Sequence, residues 1–267
     1  MTSLDEAEQR YRVILCDIWG CIHDGVQLYP GAQERLRRWR EQGRTTILIS
    51  NAPRTAEVVA GQLIRLGLDP SLWDGIATSG EAGIAVLTQL GRPVGFIGTP
   101  RDREVLEGRG VRIAETQDFD DLACAGLDGV RREVADYEEE IRPLAERDVL
   151  MHCLNPDRLV IRGGCPEPCA GAIADLYVEL GGRVEYYGKP YPAIYRHAMQ
   201  LAGEPKPEEV LAIGDGLNTD MLGGARMGFD CVYVTGVISR GMAIPADFAP
   251  ENGLVDWRPV AVVDSLH

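Results

Sequence analysis

The chain has 267 residues, 45% hydrophobic and 25% charged, with a formal net charge of −14 and a pI near 4.8. That composition suits a globular chain with room for one large domain or two modest ones, and the acidity argues against a basic surface for nucleic acid or anionic membranes. The first residues, MTSLDEAEQRYR, lack the basic and apolar segments of a signal peptide, and no apolar run reaches the length of a membrane span. Seven cysteines lie along the chain without the paired spacing of a zinc site, so reduced thiols in a cytoplasm are expected and no structural metal is.

Residues 12–17 (RVILCD) read as a buried strand that ends on Asp17 and opens into the loop IWGCIHDG. The stretch 32–42 reads as a helix with Leu36 and Trp39 on one face, stopped by Gly43. TTILIS (45–50) is a strand, 55–67 a helix with Thr55 as N-cap, and GIATS (75–79) a short third strand. The middle, roughly 82–182, carries its own alternation: RPVGFIG, GVRIA, DLACAGLDG, the charged helix YEEEIRPLAE, then DVLMHCLN. After it come a strand at 183–188 (RVEYYG), a helix at 192–202 that begins with proline, a strand at 209–215 (EVLAIGD), a helix at 219–228 and a strand at 230–236. Continuous apolar strands separated by helices indicate an α/β fold: a Rossmann-like, doubly wound parallel sheet covered on both faces. The expected division is a core domain of 1–81 and 183–267 with a smaller α/β domain, 82–182, inserted into it.

In such a sheet, ligands collect at the carboxyl ends of the strands. Those ends supply Asp17, then Ser50 and Asn51, then Gly188, Lys189 and Pro190, then Gly214, Asp215 and Gly216 followed by Asn218, Thr219 and Asp220. Each group alone is ordinary: Asp215–Gly216 is a common turn and Ser50–Asn51–Ala52–Pro53 a plain helix entry. Four in order, each just past a strand, make the inventory for a phosphate dianion beside a magnesium ion. Carboxylates hold the hard cation, a lysine and a hydroxyl neutralise phosphoryl oxygens, and one aspartate is left to attack phosphorus.

These residues resemble the haloacid dehalogenase-like (HAD) superfamily, in its NagD-like phosphatase branch with an inserted α/β cap. Asp17-Ile-Trp-Gly20 stands where the family has D-x-D-G, with YPGA (29–32) following; ILISN (47–51), GKP (188–190), GDGLNTD (214–220) and VYVTGV (232–237) match the later motifs. In the cap, NPD (155–157) and RGGCPEPCAGA (162–172) resemble the segments that reach over the substrate. The resemblance implies that Asp17 is the nucleophile of an aspartyl-phosphate route and that Lys189 and Ser50 grip the phosphoryl group. It implies Mg2+ on Asp17, the Trp19 carbonyl, Asp215 and Asp220, with Asn51, Asp157 and Glu167 on the substrate side. The substrate would be a small phosphorylated metabolite, with neither nucleic acid nor membrane as partner; pairing of chains through the cap is left open.

One residue departs from the pattern. Where the family's phosphatases place a second aspartate, which protonates the leaving oxygen and then activates water, this chain has Trp19. An indole N–H donates only and does not titrate, so a positioned acid–base group, typically contributing ~10²- to 10⁴-fold in rate, is missing. Trp19 is expected to narrow the pocket or stack on a flat substrate. Replacements to consider are His23, Asp24, Asp157 and Glu167, although His23 reads better as a backbone-bonded imidazole and Asp24–Gly25 as a hairpin turn. Glu167 stands between two prolines and is expected at a stiff loop tip. Two readings therefore stand: a weak Mg-dependent phosphatase, or a phosphate-binding or regulatory protein on the same scaffold.

Overall fold

The computed structural model describes residues 3–162, 165–236 and 244–267. The strands in chain order are β1 (Val13–Asp17), β2 (Thr45–Ser50), β3 (Gly75–Thr78), β4 (Gly95–Ile97), β5 (Asp121–Cys124) and β6 (Leu150–Cys153), then β7 (Leu159–Arg162), β8 (Cys165–Pro168), β9 (Arg183–Tyr186), β10 (Val210–Gly214), β11 (Asp230–Val234) and β12 (Ala261–Val263). The chain divides into two compact units: residues 1–50, 56–77 and 189–267, and residues 51–55 and 78–188.

The first unit holds a six-stranded sheet in the order β12-β11-β10-β1-β2-β3, and β12, β11, β10, β1 and β2 run parallel to their neighbours. β1 and β10 lie at its centre and are buried along their whole length. Their apolar runs have no polar alternation because helices cover both sheet faces. On one side Val13, Leu15, Ile47, Ile49, Val210 and Ala212 pack against Ile194, Tyr195, Ala198 and Met199 of the helix Pro192–Leu201. Each fully buried aliphatic of this kind contributes about 1.5–3 kcal/mol. The helix Ala32–Glu41 buries Leu36 and Trp39, as its spacing predicts, and the Trp39 indole donates to the buried Glu8 at 2.7 Å.

The second unit has a parallel sheet ordered β4-β5-β6-β9 and an antiparallel hairpin of β7 and β8. Its core joins Leu122, Cys124, Met151 and Cys153 of the sheet to Ile141 and Leu144 of the helix Glu138–Glu146 and to Ile173 and Tyr177 of the helix Ala170–Glu179.

Four expectations are corrected. The strand RVEYYG, assigned to the core, is β9 and pairs with β6 in the second sheet, which moves the boundary from 183 to 189. The other boundary moves from 82 to 78, because the helix Ser79–Gln89, rich in Gly, Ala and Ser, packs within the second unit; residues 51–55 also belong there. GVRIA makes only the bridge Val94–Ile113 rather than a strand. The helix expected over 219–228 begins instead as a π-helical turn, Leu217–Met221, and continues as Leu222–Arg226.

Candidate functional site

Parallel pairing puts the strand ends of the core unit on one rim. Asp17 pairs in register with Ile49, so Ser50 follows one residue beyond it; Cys16 pairs with Ile213, so Gly214 is level with Asp17 and Asp215 follows. Lys189, just before the helix Pro192–Leu201, reaches the same place. Its Nζ donates to Asp17 Oδ1 at 2.5 Å and to Asp220 Oδ1 at 2.8 Å. Asp17, Asp215 and Asp220 each offer a carboxylate oxygen within 4.8 Å of the others. Asp17, the pair Asp215 and Asp220, and Lys189, from three separate stretches of the chain, therefore surround a common point, and Ser50 stands at the same rim.

Local chemistry fixes these side chains. Asp220 sits on the π-helical turn, a geometry frequent at functional sites. Its Oδ2 accepts the Gly216 N–H at 3.2 Å and the Thr219 hydroxyl at 3.1 Å, which leaves Oδ1 turned toward Lys189. A Cβ on Gly214 would lie 2.1 Å from the Asp220 Cγ, so only glycine lets that carboxylate tuck beneath the end of β10. Gly20, at φ +86°, backs onto Asp215 so closely that a Cβ would lie 1.8 Å from Oδ2. The sequence reading missed these steric duties and the service of Thr219 to Asp220; the glycines on either side of Asp215 were their available signal.

The charge does not balance. Three carboxylates, two of them buried and the third half-buried, face one ammonium. Burial, reinforced by the Asp220 charge, holds the Asp17 carboxyl well above its usual range despite Lys189. Burial and the same Asp220 charge push Asp215 up to about 6. Burial disfavours the Lys189 ammonium, but Asp17 and Asp220 outweigh it and keep the lysine charged. A buried pocket with surplus negative charge and only oxygen donors fits a hard divalent cation.

Around Asp17 the loop is tightly arranged. Cys16 and Cys21 are buried, and burial together with the Asp17 charge raises both thiols well above their ordinary range. Trp19 is 36% exposed. His23 is buried, its Nδ1 accepts the Gly25 N–H at 2.8 Å, and burial lowers its pKa. Asp24 Oδ1 accepts the N–H groups of Val26 and Gln27, both at 2.9 Å, and these bonds lower its pKa. His23 is thus the backbone-bonded imidazole and Asp24 the turn former of the sequence reading.

Asn51, Asp157 and Glu167 belong to the second unit. Asn51 donates to Asp157 Oδ1 at 2.8 Å, and the Asp157 N–H donates to Asn155 Oδ1 at 3.0 Å. Glu167 is not at a loop tip: it lies within β8, exposed, opposite Val160 of β7, where prolines are tolerated because the strand is an edge. Residues 163–164 of RGGCPEPCAGA and Val237 of VYVTGV lie outside the described residues.

Two family models match the chain: haloacid dehalogenase-like hydrolase over residues 14–112 and HAD-hydrolase-like over 186–267. A haloacid dehalogenase-like hydrolase from Brucella suis 1330 is 33% identical, with a TM-score of 0.84 and all of both chains covered. The chain belongs to the haloacid dehalogenase-like hydrolases. Among curated relatives of this HAD chain, chronophin of Bos taurus is 28% identical, covering 99% of this chain and 95% of the relative. Ribonucleotide monophosphatase NagD of Escherichia coli K12 is 26% identical, covering 85% and 88%. These relatives put the HAD chain in the NagD-like branch, and its inserted α/β unit is the cap domain of that branch.

Proposed function

We propose that this HAD protein is a magnesium-dependent phosphatase of a small phosphorylated metabolite, working through an aspartyl-phosphate on Asp17. The observation that carries the reading is the pairing of Lys189 with Asp17 and Asp220 beside Asp215, which leaves buried negative charge that one lysine does not offset. The name of one relative, ribonucleotide monophosphatase NagD, supports phosphoester chemistry.

Asp17 and Asp215 would hold Mg2+ through their carboxylates and Trp19 through its backbone carbonyl, with Asp220 direct or through water. The bound ion would neutralise phosphoryl oxygen charge. Lys189 and Ser50 would grip the phosphoryl group, and Asp220, anchored by Gly216 and Thr219, would aim the lysine. An oxygen of Asp17 would attack phosphorus, the bond to the leaving oxygen would break, and water would then displace Asp17 to release phosphate. With Trp19 at the acid–base position, both steps would run without a positioned proton carrier.

A second reading, a phosphate-binding or regulatory protein, is favoured by that same Trp19. Phosphate release from a panel of phosphomonoesters, by the full chain with Mg2+, separates the two. The phosphatase reading expects release that Asp17→Asn abolishes and Trp19→Asp accelerates. A panel with no release, together with thermal stabilisation by Mg2+ plus phosphate, selects the binding reading.

A further inference from the structure

Trp19 is braced by its own loop and remains partly exposed. A Cβ on Gly25, at φ +93°, would lie 2.5 Å from the indole Cη2 and 3.0 Å from Cζ3, so the six-membered ring rests directly on the Gly25 backbone. His23 meets the indole edge-on, with centroids 5.3 Å apart and planes at 76°. The next residue, Gly20, backs onto the Asp215 carboxylate. An aromatic surface, 36% exposed, is thus fixed two residues past Asp17, at the sequence position where the resemblance puts the family's acid, and its chain neighbour Gly20 touches the carboxylate cluster.

Two groups on the same loop that could supply that proton, His23 and Asp24, are each tied to the loop's own backbone. His23 is buried and its Nδ1 accepts the Gly25 N–H at 2.8 Å, which ties the ring into the support of Trp19. Asp24 spends Oδ1 on the backbone of Val26 and Gln27 and is the cap of a turn. The indole N–H does not titrate.

We propose that Trp19 makes the leaving group itself the selection rule: the site cleaves phosphate esters of planar, weakly basic alcohols, that is small aryl phosphates, and turns over alkyl phosphates poorly. The inference rests on the phosphatase reading above. In the first step a bond forms from an Asp17 oxygen to phosphorus and the ester P–O bond breaks. The electron pair departs on the phenolate oxygen, where the ring delocalises it, and solvent supplies the proton afterwards. An alkoxide has no such delocalisation and needs the donor that Trp19 lacks. The indole face adds offset stacking with the departing ring. In the second step water displaces Asp17 from phosphorus and its proton passes to solvent.

The test is a series of substituted phenyl phosphates, from p-nitrophenyl to p-methoxyphenyl, with glycerol phosphate as the alkyl member, given to the full chain with Mg2+. Because kcat/KM reads the first step, it is expected to fall steeply as the leaving phenol becomes more basic. Glycerol phosphate is expected ~10²- to 10⁴-fold below phenyl phosphate, the typical worth of a positioned acid. A flat series, or glycerol phosphate at the rate of phenyl phosphate, overturns the inference using the unmodified protein alone. Trp19→Asp is expected to flatten the series, and Trp19→Leu to keep its slope while raising KM for every aryl member; an unchanged KM removes the stacking role. Asp17→Asn separates this inference from the reading beneath it. If Asp17→Asn is inert and the series is flat, only the leaving-group rule fails; if Asp17→Asn stays active, or the unmodified chain cleaves nothing, the phosphatase reading fails with it.

Discussion

Each unit holds a polar cluster on its sheet, at the rim in the core and within the strands in the cap, and the two clusters are built to opposite specifications. In the cap, Asp121 accepts from His152 Nε2 at 2.9 Å with one oxygen and from Arg92 Nε at 2.7 Å with the other, and His152 Nδ1 meets the Tyr187 hydroxyl at 2.6 Å. One carboxylate has one guanidinium, and both imidazole nitrogens are used; burial holds the Tyr187 phenol up and protonated. In the core, three carboxylates gather at one lysine, which pairs with Asp17 and Asp220. The closed set completes its own hydrogen bonding and does structural duty. The open set keeps a surplus of negative charge, which is why we propose it as the place for a cation.

The sharpest way to break this contrast is Asp17→Asn. Phosphate release is expected to fall by at least ~10³-fold, because a neutral amide oxygen is a poor nucleophile toward phosphorus. The fold should persist by circular dichroism, since the change relieves charge crowding. A second measurement is thermal unfolding with and without Mg2+: the core should gain about 2.7 kcal/mol at a hundredfold excess over Kd, and chelation should remove the gain. Asp215→Asn should abolish that response and also raise the metal-free melting temperature, because a half-buried carboxylate repelled by Asp220 is gone.

In the cap the sign reverses. Asp121→Asn should cost about 2 kcal/mol in chemical denaturation, by weakening the Arg92 pair and disturbing His152, while kcat/KM changes little. The smallest effect concerns acid. Asp128 meets a burial cost, but Arg131 and the backbone of Val130 and Arg131 outweigh it and bring its carboxyl down to about 2. The unfolded value is 3.8, so this stabilisation is fully present above that pH and fades as the pH falls toward 2. Asp128→Asn should therefore lower the melting temperature slightly at neutral pH and converge with the parent at the acid end.

What the sequence revealed follows from where the physics is local. The apolar runs of β1, β2 and β10 and the polar residues one step past them are written in contiguous stretches, so the parallel core and its rim were legible. The glycines flanking Asp215 announced a tight site but not which atoms they spare. The cap boundary was not legible: Arg183–Tyr186 alternates between exposed and half-buried residues and matches either sheet, and only pairing with β6 decides it. Asn51 and Asp157 stand 106 residues apart, so their mutual bond leaves no local trace. Glu167 misled because prolines on both sides suggest a rigid turn, yet an edge strand of a hairpin accommodates them equally well.

The two thiols on either side of Asp17, at Cys16 and Cys21, have a practical use. Cys16 and Cys21 are sealed from solvent and held protonated, so an alkylating reagent can modify them only when this segment transiently opens. Labelling rates followed by peptide mass spectrometry would then clock how often the segment breathes. A cation or product that holds the loop shut would register as slower labelling of these two positions than of Cys124, whose burial lies in the other unit.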